Sequence, residues 1–161
     1  MAKYASETKV SSIDSRAEIE RTLTRYGASG FMYGWEANMA VVAFRMAERH
    51  IRFNLNMPDK SDAAFTTYMR GNTAWLREPH IALEKWEQAC RQRWRALALV
   101  IKAKLEAVES EISCIEDEFM AHIILPNGQT VSETVRAGIA DAYATGTMQN
   151  LLPDYSGGGA A

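Results

Sequence analysis

The feature that most restricts the fold of this chain is a long apolar repeat between residues 80 and 111. Neither glycine nor proline interrupts that span, and apolar residues recur in steps of three and four at Leu83, Trp86, Cys90, Trp94, Leu97, Ile101, Leu105, Val108 and Ile112. Such steps place side chains on one face of an α-helix. The repeat therefore predicts one continuous helix, about 45–50 Å long at 1.5 Å per residue.

A helix of this length is long for the size of the chain. A compact chain of 161 residues has a radius of gyration of only about 15 Å. The helix must therefore protrude, bend or pack along another molecule. We expect its apolar stripe to join copies of the chain, so that the protein forms a homo-oligomer through the long helix.

The region before the repeat predicts an arm and a short helix. Residues 1–14 are polar, lack periodicity and are expected to form a flexible arm. Ser15 and Glu18 have the spacing of a capping box, which places a helix start at Ser15. Gly27 is expected to end this N-terminal helix.

Three runs of alternating apolar residues follow, and they contain Phe31, Tyr33 and Trp35, then Val42, Phe44 and Met46, then Ile51, Phe53 and Leu55. A period of two over consecutive short runs is typical of an antiparallel meander. One face of its second and third strands is expected to be apolar, while the other carries Arg45, His50 and Arg52.

The remaining segments complete a single α+β domain over residues 15–153. Residues 56–79 are polar, contain Pro58, Pro79 and Gly71, and are expected to form a linker or long loop that orders on binding. A C-terminal helical segment follows the long helix, and residues 154–161 are expected to be disordered. The expected order is an N-terminal helix, a three-stranded antiparallel meander, a long central helix and this C-terminal segment.

Charge is distributed unevenly along the chain. Residues 1–56 carry eight Lys and Arg against six Asp and Glu, residues 57–105 carry nine against five, and residues 106–161 carry one against nine. This asymmetry indicates a dipolar molecule whose basic side could meet a nucleic acid or an acidic partner. Equally, the two charged regions could attract each other within one molecule or between subunits.

Motifs typical of enzymes do not occur in the sequence. There is no Gly-x-Ser-x-Gly elbow, Walker A loop, dinucleotide fingerprint or metal-binding His or Cys spacing. Cys90 and Cys114 form no paired motif, and no apolar run is long enough to span a membrane. We therefore expect a cytoplasmic protein that is not an enzyme, does not contact a membrane, and has no catalytic residue, cofactor or metal site.

Binding residues are better represented. On the predicted long helix, Arg91, Arg95 and Lys102 share a face away from the tryptophans and could follow a phosphate backbone. In the predicted sheet, Phe31, Tyr33 and Trp35 could stack on bases. The candidate nucleic-acid contacts are Arg45, Arg52, Arg91, Arg95 and Lys102 for phosphates, with Tyr33 or Trp35 for bases.

The order of elements over about residues 15–110 resembles the β-β-β-α core of phage single-strand annealing proteins. Two segments, 86–97 (WEQACRQRWRAL) and 125–131 (LPNGQTV), also look like small uncharacterised proteins encoded by phages and prophages. The annealing proteins form rings and hold DNA in a basic groove. The resemblance implies a phage-type accessory protein of DNA metabolism that binds single-stranded DNA as an oligomer in the cytoplasm of a bacterial host.

The acidic C-terminal third supports a different hypothesis. Its carboxylates could mimic DNA and bind a basic protein, and the residues concerned are Glu106, Glu109, Glu116, Asp117 and Glu118. The chain would then inhibit a host defence or replication enzyme, although the sequence does not identify that partner. A structural role in virion assembly is a third possibility.

Overall fold

The computed structural model describes residues 7–148 and 150–152, which form a mixed α+β structure. Its helices are α1 (Ser12–Arg25), α2 (Ala63–Thr66), α3 (Pro79–Glu109), α4 (Ile115–Phe119) and α5 (Val131–Thr145). Its strands are β1 (Ser29–Glu36), β2 (Met39–Met46), β3 (Arg49–Asn56), β4 (Thr67–Arg70) and β5 (Thr73–Leu76). The predicted fold class and element order are confirmed.

The central sheet is an antiparallel meander in the order β1-β2-β3, as predicted. Tyr33, Val42 and Phe53 lie side by side across the three strands. Val42 and Phe53 are buried under the helices, so we call this side the inner face. Arg45 lies on the opposite side, the outer face, as the alternation predicts.

Helix α3 is continuous over 31 residues, as predicted, and Pro79 occupies its first turn, where no amide partner is lost. Its buried stripe consists of Cys90, Trp94, Leu97, Ala98, Ile101 and Leu105. Except for Cys90, these residues belong to one core with Ile19 and Leu23 of α1 and the inner face of the sheet. The chain thus covers the stripe with its own helix and sheet, so the stripe is not free to join copies, and the expected homo-oligomer stays a prediction without this contact.

Helix α1 starts earlier than the sequence predicts. The hydroxyl of Ser11 caps it by accepting a hydrogen bond from the amide of Asp14 at 3.0 Å. The predicted capping box at Ser15 is wrong, because Ser15 is buried within the helix. Residues 12–14 of the expected arm are thus helical, whereas residues 1–6 and the expected tail 154–161 lie outside the described part of the chain.

Residues 56–79 are not the expected loop. They form α2 and a hairpin of β4 and β5, in which Tyr68 lies opposite Trp75. Gly71 has a φ of 62° in the connecting turn, a conformation that favours glycine. Large apolar side chains remain exposed on this hairpin at Tyr68, Met69, Trp75 and Leu76. Each strand has only four residues, so neither was long enough to show a clear alternation.

The C-terminal segment closes one edge of the sheet. Phe119 of α4 is fully buried and packs edge-on against Phe44 and Phe53, with ring centroids 5.8 and 6.2 Å apart. Ile123 bridges β3 at Ile51 in the antiparallel sense, and the chain then turns into α5. The free side of β3 is therefore partly covered.

Replacing Phe119 with alanine should lower the free energy of unfolding by about 3–5 kcal/mol, because it opens a cavity between α4 and the sheet. Urea unfolding followed by circular dichroism measures this change. Ile112→Ala is the control: Ile112 is 79% exposed, and its loss should change stability by less than about 0.5 kcal/mol. Equal effects of the two substitutions would contradict the packing of α4 on the core.

Candidate nucleic-acid interface

Three aromatic side chains lie along the inner face of β1, and we call Phe31, Tyr33 and Trp35 the aromatic row. Because β1 is at the edge of the sheet, the helices cover the row only in part, and 44% of Tyr33 and 71% of Trp35 are exposed. The Tyr33 and Trp35 rings are nearly parallel, at 16°, with centroids 6.3 Å apart. The row thus presents flat aromatic surface to solvent.

Arg16 of α1 lies against the aromatic row. Its guanidinium carbon is 4.7 Å from the ring centroid of Tyr33 and 5.4 Å from that of Trp94, within the range of cation–π attraction. Beside it, a cavity of about 220 Å³ is lined by Trp35, Trp86 and Trp94. A cation and several aromatic surfaces therefore meet at one opening.

The three cations predicted on α3 share one side of the helix, the side near α1. Arg95 is bonded to the carboxylate of Glu18, and Arg91 donates to the side-chain oxygen of Gln88 at 2.6 and 3.0 Å. Lys102 is exposed. The structure thus leaves Lys102 more accessible than Arg91 and Arg95.

Lys102 lines a groove of about 290 Å³ between α1 and α3, which we call the α1–α3 groove. Arg21 and Arg25 of α1 line it as well, and both are exposed. Sequence reasoning missed these two arginines, although their spacing of four residues places them on one side of a helix. The groove thus brings three exposed cations together.

The groove also contains two carboxylates, each bonded to a side chain of this protein. Glu18 bonds Arg95, as above, and Glu106 accepts a hydrogen bond of 2.6 Å from the hydroxyl of Tyr26. This hydrogen bond to the carboxylate raises the pKa of Tyr26. Arg95 neutralises Glu18, whereas Glu106 keeps its charge, so three cations against two carboxylates leave the groove with a net positive charge.

The two arginines predicted on the sheet lie on its outer face, away from the aromatic row. Arg45 is exposed, whereas Arg52 pairs with Glu133 at 2.7 Å and donates to the carbonyl oxygen of Gly128 at 3.2 Å. The seven predicted contact residues therefore do not share one surface. Tyr33 and Trp35 form the row, Arg91, Arg95 and Lys102 lie beside α1, and Arg45 and Arg52 lie behind the sheet.

The predicted acidic surface is partly neutralised within the chain. Glu116 pairs with Arg49 at 3.6 Å and Glu118 pairs with Lys104 at 3.3 Å, whereas Glu106 accepts a hydrogen bond from Tyr26 and keeps its charge. Glu109 and Asp117 are exposed. The pairs with Arg49 and Lys104 show that the acidic C-terminal third and the basic remainder attract each other within one molecule.

The described residues 7–148 and 150–152 contain no group of three or more His, Cys, Asp or Glu side chains arranged to hold a metal ion. Within the same ranges, no helix has the length and apolar character needed to cross a membrane. No protein-family model, curated protein or solved structure matches the chain. The chemistry of the aromatic row and the α1–α3 groove is therefore the guide to function.

Glu133 holds α5 against the sheet through its charge. The amide of Thr130 donates to its carboxylate at 2.7 Å, and this hydrogen bond, aided by Arg52, keeps the pKa of Glu133 below its ordinary value. Because the pKa of Glu133 is lower in the folded state, its ionised carboxylate stabilises the fold at pH values above the ordinary carboxyl pKa of 4.5. This stabilisation is lost as the pH falls and the carboxylate of the folded protein is protonated.

Glu133→Gln should therefore lower the free energy of unfolding by about 1 kcal/mol at pH 7. The difference from the native protein should shrink as the pH falls below 4.5, the ordinary carboxyl value. Urea unfolding at several pH values measures it, with Asp141→Asn on the exposed side of α5 as the control. A pH-independent difference would show that the charge of Glu133 is unimportant.

Proposed function

We propose that this protein binds single-stranded DNA without catalysing a reaction, as an accessory protein of phage DNA metabolism. The observation that carries the proposal is the exposed, mutually stacked pair of Tyr33 and Trp35 with Arg16 against it. The phage setting follows from the resemblance in the order of elements and is tested separately by the genes that surround this one.

Bases stack on the aromatic row. Trp35 is 71% exposed at the sheet edge, so the protein does not gain the free energy that burying this large apolar side chain would provide. Exposed apolar surface of this kind favours a role in contact with another molecule. Stacking between a base and an aromatic ring contributes about 1–3 kcal/mol and tolerates any sequence. In duplex DNA the base faces are covered by neighbouring bases, so a stacking surface favours single strands.

Phosphates are held by the cations around α1. Arg16 lies at the row, and Lys102, Arg21 and Arg25 line the α1–α3 groove on the same helix pair. Arg21, Arg25 and Lys102 are exposed and Arg16 is half-buried, and among the described residues none of the four has an ion pair to break before it contacts a phosphate. Arg95 and Arg52 are weaker candidates, because each would have to leave a carboxylate of its own chain.

Trp35→Ala should weaken binding of a fluorescein-labelled oligothymidylate of about 20 nucleotides by about five- to a hundredfold, because one stacking surface is lost. Fluorescence anisotropy at low salt measures the dissociation constant. Trp75→Ala is the matched control, since Trp75 is 52% exposed on the hairpin of β4 and β5, outside the row. Its removal should leave binding unchanged.

Two results of this titration would contradict the proposal. Equal weakening by both substitutions would show that binding does not depend on the row. No binding by the native protein, even at low salt, would remove single-stranded DNA as the ligand and favour the acidic, DNA-mimicking inhibitor instead. A pull-down with a basic partner protein would then be the next experiment.

Lys102→Ala should weaken binding to all oligonucleotide sequences alike, because a phosphate contact carries no sequence information. The slope of log affinity against log salt should fall by about 0.7 for the one phosphate lost from a single strand. Lys85→Ala, another exposed lysine of α3 that lies outside the groove, is the control. An unchanged slope for Lys102→Ala would exclude the α1–α3 groove from the DNA path.

A further inference from the structure

The outer edge of β1 is open. In the described part of the chain β1 pairs only with β2, whereas the free side of β3 meets Ile123. The edge sequence from Ser29 to Glu36 contains no proline or lysine, and its one charge is at Glu36. Proteins commonly use proline, lysine, a β-bulge or a covering loop to prevent such an edge from pairing, and among the described residues this edge has only the bulge at its Ser29 end.

The hydrogen-bonding groups of this edge follow a definite alternation. Glu36 and Met39 flank the two-residue turn between β1 and β2, so this pair and every second pair after it bond across the hairpin. The residues between them, Phe31, Tyr33 and Trp35, direct their backbone N–H and C=O groups to the open side. A regular strip of donors and acceptors therefore lies along the edge.

We propose that β1 pairs with β1 of a second copy in antiparallel orientation, about a two-fold axis at Tyr33. The two three-stranded sheets then form one continuous sheet of six strands. Tyr33 pairs with its own equivalent, and Phe31 pairs with Trp35 of the second copy. Each of these three residues offers one backbone N–H and one backbone C=O. The pairing gives both groups of each residue a hydrogen-bond partner, in both copies.

Side-chain alternation selects this register. Residues directly opposite in a sheet must lie on the same face, and only registers that pair odd with odd positions bring the two inner faces together. Pairing cannot shift far toward Ser29, because the strand has a bulge there and Gly30 has a φ of 70°. The regular part of the edge is therefore centred on Tyr33.

The outer face is complementary in shape in the same register. Met32, which is 63% exposed, lies opposite Gly34 of the second copy. Gly34 has no side chain, and no atom of the described residues lies within 4 Å of the position that a Cβ would take, so open space is available there for the methionine. Two equivalent contacts of this kind occur across the axis, because the arrangement is symmetric.

The outer face is also complementary in charge. Just beyond the regular pairs, Glu36 faces the bulge at Gly30 of the second copy, and the next strand there carries Arg45, which pairs with Ser29. Two strand spacings are about 9–10 Å, within reach of two extended side chains across a glycine. A cavity of about 270 Å³ beside Gly30 and Arg45 leaves room for the glutamate. The dimer therefore contains two Glu36–Arg45 pairs.

Dimer formation would place two aromatic rows side by side on one face of the sheet. This consequence rests on the proposed function, whereas the dimer itself does not require DNA. A single strand could then cross both rows, which would extend the stacking surface from one copy to two. It also replaces the expected oligomer contact through α3 with one that the fold leaves accessible.

Sedimentation velocity without DNA tests the dimer, over a range of protein concentrations. The native protein should dimerise, and Met32→Lys should weaken the dimer by about tenfold or more, because a charged lysine at a sheet edge opposes pairing. Met69→Lys is the matched control: Met69 is 64% exposed on the hairpin of β4 and β5 and should have no effect. Circular dichroism confirms that each variant is folded.

Charge exchange tests the proposed ion pairs independently of Met32. Glu36→Arg and Arg45→Glu should each weaken the dimer, because each places like charges across the interface. The double variant restores opposite charges and should recover most of the native dimer affinity. Weakening that simply adds in the double variant would overturn this pairing of Glu36 with Arg45.

Cysteine cross-linking on a Cys114→Ser background tests the register. Tyr33→Cys should form a disulfide-linked dimer on oxidation with copper–phenanthroline, because equivalent residues in a bonded antiparallel pair have Cα atoms about 5.5 Å apart. Met32→Cys should not. A native protein that stays monomeric at all concentrations, or cross-linking by Met32→Cys alone, would overturn the proposal. DNA binding by such a monomer would leave the proposed function standing.

Discussion

Burial of the apolar stripe of α3 is the constraint on which the rest of this structure depends. A helix of 31 residues with six buried positions needs a continuous apolar cover. The chain supplies it from Ile19 and Leu23 of α1 and from the inner face of the sheet. Because α1 and the sheet are used in this way, the surfaces that the described residues leave open include the edge of the sheet with its aromatic row, the outer face and the α1–α3 groove.

The edge position of β1 underlies both the proposed DNA binding and the proposed dimer. The inner face of β1 continues the core, so it carries aromatic residues, but the helices do not extend far enough to cover Tyr33 and Trp35 fully. The same edge leaves backbone groups unpaired. Stacking and strand pairing use different parts of these residues, the rings in one case and the backbone in the other, so the two proposals are compatible.

Much of the fold could be predicted because its signals are local. The steps along α3 and the alternation in the three strands identify their elements without knowledge of tertiary contacts. The contacts that decide whether an arginine is free to bind a phosphate are not local. Arg52 and Glu133 are 81 residues apart in sequence, and Arg95 and Glu18 are 77 apart. No pattern in the sequence indicated that these arginines would be paired, so they seemed as accessible as Lys102.

The errors have equally specific causes. Ser15 matched a capping box, but Ser11 four residues earlier offers the same cap and allows one more turn of helix. The length of the α3 stripe predicts a subunit contact, because the helix is longer than a compact chain of this size is wide. In the structure α1 runs parallel to α3, with Glu18 at Arg95 and Tyr26 at Glu106, and so covers the stripe lengthwise.

The most direct measurement is a titration of the indole N–H signals of the four tryptophans by ¹H–¹⁵N NMR with oligothymidylate. Each tryptophan reports on a different place, since Trp35 lies in the aromatic row, Trp75 in the hairpin, and Trp86 and Trp94 in the adjoining cavity. The account predicts a saturable change at Trp35 with no change at Trp75. A change at Trp75 with Trp35 unaffected, or no change at any of the four, would contradict it.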